Sequence, residues 1–299
     1  MIRDPRERMT TVKMPDANGH TMTMVKWQGE YFPPFPGTGP RMDKMKDLPM
    51  RDNDVLISSY PKSGTHWACE IARMLVSNKA ENHHVEGLGK APEYIDMSDQ
   101  ELVNSMKSPR VLFTHLPTKH LPKGVWEKKI KIIHLIRNPK DVAVSFFNFA
   151  QAFSVFEYEG NWDGFVTLQN SGHVPSGSWF RYMLDWWNSQ KGNPNVLFIT
   201  YEELSANDQK VVKKMAEFLN CTNTDEFYEE VGRKCSFHSM KKSREDAMKI
   251  FFRKGQVGDW KNWFTVAQNE EFDKLFQEQM KEAPDLIPRI IFDLQPQGH

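Results

Sequence analysis

The chain reads as an α/β protein, a single domain built on a central parallel sheet flanked by helices. Three observations predict this. Four short apolar runs, VLISS at 55–59, VLFT at 111–114, KIIHLI at 131–136 and VLFIT at 196–200, have the length and β-branched content of strands buried on both faces. Stretches of helical period separate them, the rhythm of crossover connections. Three of the four runs lead straight into polar, chemically suggestive residues, where open parallel sheets bind their ligands.

Residues 1–50 hold a polar arm and then WQGEYFPPFPGTGP, in which proline and glycine are expected to rule out a regular element while the aromatics pack over something. The expected catalytic core spans 51–281. After the first strand comes a helix over Thr65–Ser77, then further helices over 139–150, 178–190, Asp208–Leu219 and 268–281. RNPKD marks one boundary clearly, because Asn138 can cap and Pro139 suits the first helical position. Residues 282–299 form a tail with no evident role. No internal repeat, low-complexity tract or inter-domain linker interrupts the pattern.

Across 299 residues, 39% hydrophobic content suffices for a substantial core. Lysine plus arginine equals aspartate plus glutamate at 39 each, so an anionic partner must be held by a local cluster, which disfavours nucleic-acid binding. Three cysteines, Cys69, Cys221 and Cys235, form no C-x-x-C pair, which argues against a disulfide framework or structural zinc and fits a reducing compartment. The N-terminus is too charged for a secretory signal, and no run approaches the roughly 20 apolar residues that span a bilayer. A soluble, cytoplasmic protein is expected.

The strand ends carry the candidate chemistry. In VLISSYPKSGTHW, Pro61 fixes a turn, Gly64 lets backbone approach a ligand, and Thr65 opens a helix whose free amides face the loop beside Lys62. That is an anion site by type, and phosphate is the expected guest. It is not a Walker A loop, since the lysine precedes the glycine; an ordinary capped strand-to-helix turn remains the alternative. His115 follows the second strand, placed to take a proton from a hydroxyl or to serve only structurally. Arg137 ends the third, with Ser145 two turns into the next helix; the arginine suits forked phosphate binding or a surface ion pair. Arg253, Lys254 and Gly255 form a second cationic turn, with Phe251, Phe252 and Trp260 as anchors.

Taken in order, YPKSGTHW, THLP, RNPKDVAVS, YEEL and RKGQVGDWKNWFT resemble the cytosolic sulfotransferases over about residues 50–270. The resemblance implies a P-loop-like domain, 3′-phosphoadenosine 5′-phosphosulfate (PAPS) as donor, 3′-phosphoadenosine 5′-phosphate (PAP) as product, and no metal. It implies that Lys62, Ser63, Gly64, Thr65, His66 and Trp67 surround the 5′-phosphosulfate, with Trp67 near the adenine. Arg137, Ser145, Arg253, Lys254 and Gly255 then hold the 3′-phosphate, and Tyr201, Cys235, Phe237 and Met240 lie around the adenosine. His115 falls on the family's base, and His115, Lys62 and Ser145 are the expected catalytic residues. Lys261, Thr265, Val266 and Glu270 match the family's K-x-x-x-T-V-x-x-x-E dimerisation pattern, which implies a homodimer.

The acceptor cavity is expected to be lined by Phe32, Phe35, Phe113, Phe147 and Phe149 and to take a small apolar phenol, sterol or alcohol. Three departures stand out. Phe113 replaces the lysine common in phenol- and oestrogen-directed members, Cys235 replaces a frequent hydroxyl residue, and the interval between CSFHSM and FFRKG is short, implying a trimmed lid. Two other classes fit part of the pattern: a nucleoside kinase, which needs Mg²⁺ and has only Glu202 and Glu203 as tempting ligands, and a non-catalytic nucleotide-binding protein.

Overall fold

A computed structural model describes residues 9–82, 91–243 and 253–294. All four predicted strands are present with the predicted limits: β4 (Val55–Ser59), β5 (Val111–Thr114), β6 (Lys131–Ile136) and β7 (Val196–Thr200). They pair in parallel in the order β5-β4-β6-β7. The chain therefore leaves β4 to one side, returns, and continues on the other. The crevice where ligands bind in such sheets opens at that reversal, beyond the carboxyl end of β4.

The two-residue period of the strands divides the core in two. Leu56, Leu112, Ile132, Ile136 and Phe198 point to the face covered by α5 (Pro139–Ala152) and α7 (Trp179–Gln190). Val55, Ile57, Phe113, Ile133, Leu135 and Ile199 point to the face covered by α2 (Thr65–Ser77), α9 (Asp208–Leu219) and α10 (Asp225–Cys235). This double burial is why these strands read as continuous apolar runs.

The N-terminal region corrects the sequence reading. It contains an antiparallel sheet, β1 (Met9–Pro15), β2 (Thr21–Trp27) and β3 (Glu30–Phe32), followed by α1 (Thr38–Met45). Gln28 and Gly29, at φ 48° and 86°, make the two-residue turn between β2 and β3, so the glycine builds a hairpin where it was expected to break structure. Pro40 lies in the first turn of α1, where no intrahelical amide is needed. Trp27 and Phe32 join the same cluster as α5 and α7.

The remaining helices are α3 (Gln100–Ser105), α4 (Lys123–Glu127), α6 (Trp162–Ser171), α8 (Tyr201–Ala206) and α11 (Phe237–Ser243). Most are too short to show a clear period in sequence. The last described α-helix runs over Val266–Gln279, two residues earlier than expected, because Thr265 and Gln268 close a capping box. The tail is also used: the Phe292 carbonyl accepts from Trp260 Nε1 at 2.9 Å, and Leu286 is fully buried.

Candidate active site

The turn after β4 is shaped by two left-handed residues, Lys62 at φ 68° and Gly64 at φ 96°. At Gly64 nothing larger fits, since a Cβ would lie 2.8 Å from the ring of Tyr201. The loop is held from three sides. Arg137 Nη1 donates to the Lys62 carbonyl at 2.7 Å, the Ser59 and Thr65 hydroxyls meet at 2.7 Å, and the Lys62 ammonium sits 4.3 Å from the centre of the Phe149 ring. Burial, then Arg137 and Arg253, push the Lys62 ammonium down to about 7. Neighbouring positive charge of that kind favours an anion between the three cations.

His115 stands at the end of β5, one strand over. Its Nδ1 lies 2.8 Å from the Ser59 carbonyl oxygen, which can only accept, so Nδ1 carries the proton and Nε2 presents a lone pair. Burial, and the nearby Lys62 ammonium, lower the imidazole to about 4 against the Ser59 hydrogen bond, which makes it neutral at physiological pH. Its backbone is fixed by Asp96, a residue the motifs did not indicate. One carboxylate oxygen accepts from the His115 amide at 2.6 Å and the other from the Thr114 hydroxyl at 2.5 Å. Asp96 reaches that position because Glu93 and Ile95 hydrogen-bond to Phe113 along the edge of β5. Burial raises the Asp96 carboxyl to about 7.

A second group of cations lies beyond the lysine turn. The Arg137 guanidinium packs 4.0 Å from the Tyr201 ring centre. Arg253 and Lys254 are ion-paired with Asp259 at 2.6 and 2.8 Å. Burial opposes ionisation of Asp259, yet hydrogen bonds from Lys254, Asn262 and Arg253 hold it at about 2. Asp141, in the first turn of α5, accepts the Gly258 and Trp260 amides at 2.7 and 2.9 Å and so ties this loop to the end of β6. Gly255 lies against the Phe237 ring at a spacing that leaves no room for a Cβ.

One cavity brings together Lys62, Gly64, Thr65, His66, Trp67, Phe113, His115, Arg137, Ser145, Phe149 and Tyr201, with Phe35, Phe237, Met240, Arg253, Lys254 and Gly255 completing its wall. Four expected residues lie off it. Ser63 is fully buried within the turn. Cys235 is buried behind α11, its sulfur 3.7 Å from that of Met74. Phe32 faces an adjoining cleft. Phe147 packs on Trp162, Phe165 and Trp263, because it sits about 200° around α5 from Ser145, whereas Phe149, four residues on from Ser145, shares its face. Tyr94, stacked on Phe113 at 4.6 Å, and Phe156 line the cavity without having been expected. Phe251 and Phe252, and most of the interval read as a trimmed lid, lie outside the described residues.

Of the acids a magnesium-dependent kinase would call on, Glu203 is engaged through its side chain, while Glu202 is engaged through one oxygen and its Oε2 is buried without a hydrogen-bond partner among the described residues. Glu202 Oε1 accepts the Asn138 amide at 2.9 Å, and Glu203 closes the capping box of α8 with Thr200. Among the described residues no helix is long and apolar enough to cross a membrane.

Comparison with known proteins decides the family. The model of the sulfotransferase domain matches residues 52–284. The chain belongs to the sulfotransferase family. This sulfotransferase is 37% identical to Sulfotransferase 1E1 of Bos taurus over 256 residues, covering 79% of this chain and 86% of that one. It is 35% identical to Sulfotransferase 1B1 of Mus musculus over 258 residues, covering 80% and 86%. The crystal structure of mouse sulfotransferase SULT7A1 complexed with PAP superposes with a TM-score of 0.77 at 32% identity, covering 88% of this chain and 96% of that chain. Retinol dehydratase in complex with androsterone and PAP, at 20% identity and a TM-score of 0.74, shares the fold, with 89% and 91% covered.

Proposed function

We propose that this sulfotransferase moves a sulfuryl group from PAPS to a hydroxyl or amine of a small, largely apolar acceptor, with His115 as general base and no divalent ion in the transfer. The observation that carries this reading is the hydrogen bond from His115 Nδ1 to Ser59, which leaves Nε2 as the proton acceptor in the cavity that also holds Lys62.

The residues fit a donor with two anionic ends. Arg137 Nε and Trp67 Nε1, on residues that line the cavity, are buried donors with no hydrogen-bond partner among the described residues. Unmet buried groups of this kind are costly unless a ligand satisfies them. Lys62 and the amides opening α2 face the 5′ end, and Arg137, Ser145, Arg253 and Lys254 face the 3′-phosphate. The PAP complex of the mouse relative supports the nucleotide assignment.

PAPS supplies the activated sulfuryl group. The acceptor oxygen forms the new S–O bond as the S–O bond to the 5′-phosphate breaks, and the hydroxyl proton passes to His115 Nε2. Lys62 and the α2 amides stabilise the charge that grows on the departing phosphate, the role that preorganised donors perform in transfer reactions. Anionic charge beside His115 and Lys62 also raises both above their values in the free protein, bringing the base nearer its working range. Phe113 in place of a cation, together with Phe35, Phe149 and Phe156, favours an apolar acceptor. Transfer of labelled sulfate from PAPS across phenols, sterols, aliphatic alcohols and amines tests the reading. Magnesium-dependent phosphoryl transfer from ATP, or tight PAP binding with transfer to nothing, would replace it.

We also infer a single-domain, cytoplasmic homodimer that meets its partner through Lys261, Thr265, Val266 and Glu270. Val266 is 77% exposed, an apolar side chain left uncovered by the described residues. Sedimentation at micromolar concentration checks the stoichiometry.

A further inference from the structure

His115 borders three cavities: the one described above, a neighbouring cleft, and a small junction between them. The junction holds about 20 Å³, room for a water or a methylene group. It shares Pro33, Phe35 and Tyr94 with the first cavity and Phe32 and Ser176 with the cleft. The base thus stands where the apolar side of the first cavity, at Pro33, Phe35 and Tyr94, meets a second space. The cleft is larger, about 480 Å³, and opens between the β2–β3 hairpin, the start of α7 and the turn at Ser176. That turn is kept narrow by left-handed Ser176 and Gly177, at φ 72° and 69°, with the Ser176 amide donating to the Tyr31 carbonyl at 2.9 Å.

The chemistry of the cleft differs from that of the aromatic side of the first cavity. Its two carboxylates are already engaged: Glu30 with Lys119 and with His120 at 2.6 Å, and Asp185 with the Thr118 amide and hydroxyl at 2.7 and 3.0 Å. One cation is left with capacity: Arg181 is exposed and makes no ion pair among the described residues. A guanidinium of this kind suits a carboxylate.

We propose that the acceptor site is bipartite and takes amphipathic secondary alcohols, with an apolar arm in the chamber of Phe35 and Phe149, the hydroxyl at His115, and a carboxylate-bearing arm in the cleft against Arg181. This rests on the sulfotransferase reading above and specifies its substrate. The hydroxyl lies mid-molecule because the base lies at the junction, not at the end of either space.

The test compares a mid-chain hydroxy fatty acid with the secondary alkanol of the same length lacking the carboxylate, using PAPS and the full chain. A simple phenol and PAP binding serve as controls. The hydroxy acid is expected to show a KM about two- to fivefold lower than the alkanol, as an exposed charge pair provides. Arg181→Ala should abolish that advantage, raising KM for the acid and not for the alkanol. Ser176→Tyr, which narrows the junction that both compounds must span, should raise KM for the acid and the alkanol alike while sparing the phenol. Arg181 lies on the surface, so its variant reports even if Ser176→Tyr fails to fold. Equal KM values for the two compounds, or an Arg181→Ala effect that is the same for both, overturns the proposal. Transfer to the phenol with none to either alcohol also overturns it while sparing the underlying function. Failure of all three acceptors together with loss of PAP binding removes both.

Discussion

His115 Nδ1 and the carbonyl oxygen of Ser59, 2.8 Å apart, link the base at the end of β5 to the strand that carries the lysine turn. The contact fixes the tautomer, and burial places the imidazole at about 4, well below its ordinary value. The base form is lost only as pH falls through that value. The profile of kcat/KM for PAPS should therefore stay level on the acid side down to about pH 5 and decline below it. An acid limb centred near 6.5 would show an ordinary, solvated histidine instead.

Lys62 predicts a proton inventory. In the free protein its ammonium is at about 7, so at pH 7.5 much of it is neutral. An anion bound against it raises that value, and binding must take up a proton. Calorimetry of PAP binding at pH 7.5 in buffers of different ionisation heat should show net uptake, and affinity should weaken as pH rises above 7. Lys62→Met should remove the buffer dependence. Heats that are the same in every buffer for the native chain would contradict the assignment.

Gly64→Ala should damage both fold and site. A left-handed φ of 96° costs a residue with a Cβ about 1–2 kcal/mol, and the new methyl also meets the Tyr201 ring 2.8 Å away. Urea unfolding should show a loss of at least about 1 kcal/mol, with weaker PAP binding as the ring is displaced. Unchanged stability together with unchanged affinity would mean that the turn relaxes freely.

Asp96 is a positioning residue whose role can be separated from simple packing. Asp96→Ala leaves the His115 amide and the Thr114 hydroxyl without their acceptor, at a cost of about 1–3 kcal/mol, and should lower kcat about tenfold with little change in KM for PAPS. Asp96→Asn retains an acceptor and should recover most of the rate. If both variants lose activity equally, the charge matters more than the hydrogen bonds.

Much of this was legible in the sequence because the information was local. The strands announced themselves as continuous apolar runs, and Lys62, His115 and Arg137 each follow one directly, so finding the strand located the residue. Asn138 and Pro139 marked α5 in the same way. Long-range relations were not legible. Asp96 reaches the Thr114–His115 pair from a segment that joins the edge of β5 without being a strand. Asp259 cannot be recognised as the partner of Arg253 and Lys254 until the loop closes. Phe147 was misplaced because helical rotation, and not closeness in sequence to Ser145, decides which side chains face the cavity. The β2–β3 hairpin is a different case: its two-residue Gln28–Gly29 turn was readable, but glycine was weighed there as a breaker.

Replacing His115 by asparagine is the most direct test of the central claim, because the amide can still donate to Ser59 while offering no basic nitrogen. Transfer from PAPS to an acceptor that the native chain sulfates, and PAP affinity, should be measured on the same preparation. The expected result is a fall in kcat of roughly 10² to 10⁴, the usual contribution of a general base, with PAP affinity within about threefold of native. Native turnover in His115→Asn would show that the proton leaves by another route and that His115 is not the base.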